Sequence, residues 1–110
     1  MSTTDTILAT AKRTLLSESK SIADLVNYLD EDFAKSVTAI YNTKGRLVIT
    51  GIGKSALIAQ KIVATLNSTG TPSMFLHAAE AVHGDLGMVQ PEDIIICISK
   101  SGNSPEIKVL

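Results

Sequence analysis

The chain has 110 residues, 45% of them hydrophobic, which leaves room for one small domain with a real core. Its net charge of −1, with both signs mixed along the chain, argues against a nucleic-acid footprint or a basic membrane-binding face. The start, Met1-Ser-Thr-Thr-Asp-Thr6, lacks a basic segment leading into an apolar one, and no apolar run approaches membrane-spanning length, so the cytoplasm is the expected compartment.

In chain order, Ile7, Leu8, Ala11, Leu15, Ile22, Leu25, Val26 and Leu29 recur mostly at three- and four-residue spacing, which predicts a long amphipathic helix from Asp5 to about Leu29. A second helix is expected from near Asp30, with Phe33, Val37, Ile40 and Tyr41 as its apolar stripe and Asn42 to Gly45 ending it. Neither carries an obvious site. Their expected work is packing, including the pairing of subunits.

Arg46 to Thr50 reads as a first strand, Gly51-Ile-Gly-Lys-Ser55 as its loop, and Ala56 to Asn67 as a helix. Ser68-Thr-Gly-Thr-Pro72 ends that helix, Ser73 to Leu76 forms a short second strand, and His77 to Asp85 a loop or one-turn helix. The third strand, Asp93 to Ile98, contains five consecutive apolar residues and is expected to be buried on both faces, with Cys97 as a small buried hydrophobe. The order β–α–β, connection, β–loop–α predicts an α/β fold with a right-handed, doubly wound parallel sheet. The chain stops about one turn into a further expected helix, at Leu110, so part of a larger domain is expected: residues 1–44 as leading helices, 45–110 as the first three strands.

Ligands of such sheets bind outside the carboxyl ends of the strands, where the strand order reverses. In a flavodoxin-like order the loops at Gly51–Ser55 and Ser99–Ser104 would face each other there, with His77 and His83 reaching in from the second strand. Ser99-Lys-Ser-Gly-Asn-Ser104 supplies hydroxyls and exposed N–H groups, Ser104 fits an N-cap, and Pro105 fits the first helical position, so the stretch reads as a phosphate cradle. An ordinary serine-rich β–α turn is the competing reading.

Gly51-Ile-Gly-Lys-Ser55 is not a nucleoside-triphosphate loop, because Val48 stands where that motif needs its first glycine. As Gly51-x-Gly53-x-x-Ala56 it meets a weak dinucleotide fingerprint, but Leu76 and His77 occupy the place of the expected acidic residue. Lys54 is either a solvated loop lysine or a substrate-facing cation. His77 and His83, near Glu80 and Asp85, lack a recognised zinc spacing and read better as polar active-site histidines. Glu106 is either a first-turn glutamate complementing the helix dipole or a group beside the bound phosphosugar.

Four stretches in their order and spacing, Gly51-Ile-Gly-Lys-Ser55, Ser68-Thr-Gly-Thr-Pro72, Glu80-Ala-Val-His-Gly-Asp-Leu-Gly87 and Ile98-Ser-Lys-Ser-Gly-Asn-Ser-Pro-Glu106, closely resemble the sugar isomerase (SIS) domain of bacterial arabinose-5-phosphate isomerases. The resemblance runs from about Gly45 to the end of the chain and, more loosely, over the leading helices. It implies interconversion of D-ribulose 5-phosphate and D-arabinose 5-phosphate, a step supplying 3-deoxy-D-manno-octulosonate (Kdo) for lipopolysaccharide, by homotetramers that need no organic cofactor.

The same resemblance places Lys54, His83 and Glu106 at positions implicated in activity. Gly70 and Thr71 match a substrate-contacting turn, and Ser99, Ser101, Gly102, Asn103 and Ser104 match the phosphate loop. Gly51, Gly53 and Ser55 are the expected binding residues of the first loop, and His77 matches a histidine that holds zinc in some members, where the metal is expected to be inhibitory or incidental. Ala56 departs from the glycine usual at that point, and the further catalytic positions and paired CBS modules of many relatives are not in this chain. A phosphosugar-sensing module without turnover and a nucleotide-binding domain are the alternative functions.

Overall fold

The computed structural model describes residues 2–82 and 84–100, and the chain divides into two compact units, Met1–Val37 and Thr38–Leu110. The first unit holds α1 (Thr3–Asp24), which continues as a 3-10 turn over Leu25–Tyr28. Ser2 caps α1 by accepting a hydrogen bond from Asp5 N at 3.1 Å, which satisfies one of the first-turn N–H groups. The expected apolar stripe is there, and Ile7, Leu15, Ile22 and Val26 on it are all exposed. In α2 (Glu31–Asn42) the N-cap is Asp30, whose Oδ1 accepts from Asp32 N and Phe33 N. Among the described residues no helix is long and apolar enough to cross a membrane.

The second unit is built on a parallel sheet of β1 (Leu47–Gly51), β2 (Ser73–His77) and β3 (Ile94–Ile98) in the order β2-β1-β3. This is the doubly wound arrangement expected of the sequence pattern. Its registers align Gly51 with His77 on one side and with Ile98 on the other, so all three strands end on one row. Between β1 and β2 runs α3 (Lys54–Ser68), and β2 leads directly into the short α4 (Ala78–Val82) and a 3-10 turn at Asp85–Met88.

One expectation is corrected here. β1, not β3, is the strand buried throughout, from Leu47 to Gly51. Flanked by strands on both edges, β1 packs Leu47 and Ile49 toward α3, where Ala56 and Ala59 are buried, while Val48 meets Leu76 and Ala81 on the opposite face. β3 alternates instead: Ile94, Ile96 and Ile98 are half-buried, whereas Ile95 and Cys97 are exposed on the face they share with Val48 and Thr50. An all-apolar run cannot reveal which of its faces a neighbouring element covers. Cys97 is therefore not the buried hydrophobe expected, although desolvation still holds its thiol above the ordinary value.

Candidate functional site at the carboxyl ends of the strands

The row His77–Gly51–Ile98 marks the edge where loops leave the sheet, and β1 and β3, adjacent but far apart in sequence, define the reversal point of the strand order. After Gly51 the chain needs only Ile52 and Gly53 to turn into α3. Gly53 does this with φ 62° and ψ −131°, a conformation natural to glycine. The helix consequently starts at Lys54, two residues before the expected Ala56, which makes Lys54 and Ser55 its first two residues. Gly53 provides no side-chain cap, and a helix leaves its first-turn N–H groups without partners inside the helix. Such a terminus attracts an anion. Lys54 itself is exposed and Ser55 half-buried.

Gly51 is required by close approach. A Cβ on it would stand 3.0 Å from the Ser55 carbonyl carbon and 3.1 Å from Ala56 N, so the first turn of α3 lies directly on the end of β1. Residues paired across parallel strands share a face, which puts His77 on that same side, next to the α3 terminus. Its imidazole is half-buried, packs edge-on against Phe75 at 6.2 Å between ring centres, and accepts a hydrogen bond on Nδ1 from Ala79 N at 3.1 Å. His77 thus caps α4, a role that the sequence did not signal.

The structure brings Gly51, Gly53, Lys54, Ser55, His77 and half-buried Ser99 to one edge of the sheet. Gly70 and Thr71 it does not bring there. They form the end of α3 and precede β2, so they lie at the amino ends of the strands, roughly 15 Å away along five-residue strands. Their geometry is a Schellman ending: Gly70 has φ 95°, Thr71 N donates to Leu66 O at 2.9 Å, and Gly70 N to Asn67 O at 3.5 Å. Asn67 completes the turn by pairing with both the N–H and the carbonyl of Ser73. His83, Ser101, Gly102, Asn103, Ser104 and Glu106 lie outside the described residues.

Zinc on His77, which the resemblance allows for some members, does not fit this donor set. A zinc ligand must offer a free nitrogen lone pair, and the Nδ1 lone pair is already taken by Ala79 N–H. Among the described residues, no three His, Cys, Asp or Glu side chains cluster as metal ligands would. One further polar group is not signalled by the sequence: Thr50, fully buried in β1, whose Oγ1 has no hydrogen-bond partner among the described residues.

Doubly wound topology, a glycine turn onto a helix terminus and a reversal point beside it define an α/β domain of the class that binds anionic ligands at its strand ends. Residues 39–110 match the SIS domain model, and the chain belongs to the SIS domain family. It is 48% identical over 99 residues to the arabinose 5-phosphate isomerase KdsD of Yersinia pestis, covering 90% of this chain and 30% of that protein. To the arabinose 5-phosphate isomerase GutQ of Shigella flexneri it is 42% identical over 106 residues, 96% of this chain and 33% of the relative. The chain thus spans about a third of the length of these curated relatives. Among solved structures, Escherichia coli CFT073 c3406 in complex with arabinose 5-phosphate superposes with a TM-score of 0.90 at 41% identity, over 99% of this chain and 57% of that one.

Proposed function

We propose that this chain belongs to an aldose–ketose isomerase that interconverts D-ribulose 5-phosphate and D-arabinose 5-phosphate and supplies Kdo and lipopolysaccharide synthesis. The observation that carries this reading is the 48% identity to an arabinose 5-phosphate isomerase over 90% of the chain. The complex of a structural neighbour with arabinose 5-phosphate agrees with it.

Such a reaction moves a proton between adjacent carbons through an enediol, which calls for a positioned acid/base and for donors or a cation near the oxygen that gains charge. Lys54, at the start of α3 on the strand-end edge, is suited to the second task. Glu106 is the proposed acid/base, and His83 polarises oxygen or handles a proton. Ser99, Ser101, Gly102, Asn103 and Ser104 hold the phosphate, whose remote binding positions the reacting carbons. Gly51, Gly53 and Ser55 frame the other side of the crevice. No cofactor is required in this scheme, and zinc is incidental. The enzyme works in the cytoplasm as a homotetramer, with the exposed apolar residues of α1 as its association surface.

The decisive experiment is to supply D-ribulose 5-phosphate to the full-length protein and follow formation of D-arabinose 5-phosphate. Saturable binding of either sugar phosphate without turnover would identify a sensing module instead.

A further inference from the structure

His77 ends β2 with one ring nitrogen already committed. A backbone N–H only donates, so the contact from Ala79 N to Nδ1 at 3.1 Å makes Nδ1 the acceptor and puts the ring proton on Nε2. The ring is further held by Phe75, edge-on with 82° between the two planes. The register places it opposite Gly51, on the face where the first turn of α3 packs onto the end of β1. A half-buried ring with one acceptor satisfied thus keeps one donor, at the edge of the sheet where ligands of this fold class bind.

We propose that His77 is a substrate-binding donor and not a metal ligand: its Nε2–H hydrogen-bonds an oxygen of the bound sugar phosphate, and the Ala79 cap fixes the tautomer that makes this contact. The proposal rests on the isomerase reading above for the nature of the ligand. Zinc and the cap exclude one another at this residue. Metal on Nε2 would move the ring proton to Nδ1 and set it against the Ala79 N–H, and metal on Nδ1 would displace that N–H directly.

The two functions of the ring separate by substitution in the full-length protein. In His77→Asn, the side-chain oxygen takes the place of Nδ1 as cap acceptor while the distal donor is lost; in His77→Gln, the amide NH2 reaches the place of Nε2 while the cap is lost. Asn is expected to melt like the wild type but to bind D-arabinose 5-phosphate about tenfold more weakly, and Gln to recover most of that affinity at a lower melting temperature. Nitrogen-15 spectra of the free protein are expected to show the Nε2–H tautomer, with the Nε2 resonance moving on addition of the sugar phosphate. Calorimetric zinc titration is expected to give the same weak response for wild type and Asn. An Nδ1–H tautomer, unchanged sugar-phosphate affinity in the Asn variant, or zinc binding abolished by that substitution would each overturn the proposal. A wild type that binds neither pentose phosphate overturns the isomerase reading together with the donor role, and the wild-type titration alone distinguishes that failure from a failed donor.

Discussion

Asp93 joins the amino ends of β3 and β1 by accepting the Arg46 backbone N–H on Oδ1 at 2.7 Å, while its Oδ2 meets the Arg46 guanidinium at 3.3 Å. The same Oδ2 accepts from Gln90 N at 2.8 Å, and the guanidinium reaches on to the Met88 carbonyl at 3.0 Å. Only 2% of the Asp93 side chain is exposed, against 40% for Arg46. One carboxylate therefore fixes where β3 starts, where β1 starts and how the turn after the Asp85–Met88 segment ends. The strand-end loops of the candidate site depend on this register at the other end of the sheet.

These bonds need the charged form. The backbone N–H of Arg46, then that of Gln90, hold the Asp93 carboxyl below its ordinary value of 3.8. A group with a lowered folded pKa contributes stability above its unfolded pKa and loses it as pH falls through the folded value. Thermal melts should therefore show this contribution intact from neutral pH down to the ordinary carboxylate range and fading only below it. Asp93→Asn would turn an amide NH2 toward existing donors, so its melting temperature should fall below that of the wild type at pH 7, and the gap should narrow in strong acid. Equal gaps at pH 7 and pH 3 would show that the charge is not what matters.

Gly45 sits against the same clamp. A Cβ there would lie 2.5 Å from both the Glu92 carbonyl carbon and its oxygen, and 2.7 Å from Asp93 Oδ1. Two of those three atoms are backbone and cannot rotate away. Gly45→Ala should cost about 1–3 kcal/mol, read by chemical denaturation, and should loosen the contact of Thr43 Oγ1 with Glu92 O. Stability equal to the wild type would mean that the β3 amino end shifts freely.

The elements were legible because period and punctuation agree: apolar residues at helical spacing in α1 and α2, short apolar runs for the strands, and glycines where the chain turns. What could not be read was coverage. The run Ile94-Ile-Ile-Cys-Ile98 has the same composition whether one or both faces are packed, and only the register of Thr50 with Cys97 shows which face is open. The start of α3 was also missed by two residues, since a positive φ at Gly53 is invisible in a string of letters. At the site, the turn after β1 was legible from its glycines, whereas the capping role of His77 depends on a contact two residues along that many histidines never make. Gly70 and Thr71 show the reverse case. A motif resemblance placed them on substrate, and their bonds place them in a helix ending.

Thr50 offers a test of the core. Its Oγ1 is buried and has no partner among the described residues, and an unsatisfied hydroxyl of this kind costs about 1–3 kcal/mol. Thr50→Val keeps the branched shape and removes the unsatisfied group, so it should raise stability by about 1 kcal/mol or more in denaturant titrations. A loss of stability would reveal that the hydroxyl is paired in solution, for instance through a buried water.

Two glycines of positive φ at opposite ends of the sheet separate binding from folding. Gly53 turns β1 into α3 at the carboxyl end, and Gly70 ends α3 at the amino end; among the described residues, neither has any atom within 4 Å of where a Cβ would stand. Substitution by alanine is therefore penalised through backbone conformation, at about 1–3 kcal/mol each. If the start of α3 helps hold the sugar phosphate, Gly53→Ala should weaken phosphosugar binding several-fold in addition to lowering stability, because the N–H groups of Lys54 and Ser55 would be re-aimed. Gly70→Ala should lower the melting temperature by a similar amount and leave sugar-phosphate affinity unchanged. Measuring both quantities on both variants of the full-length protein decides the matter: equal losses of affinity would return Gly70 and Thr71 to the substrate site, and no loss in Gly53→Ala would remove the α3 terminus from it.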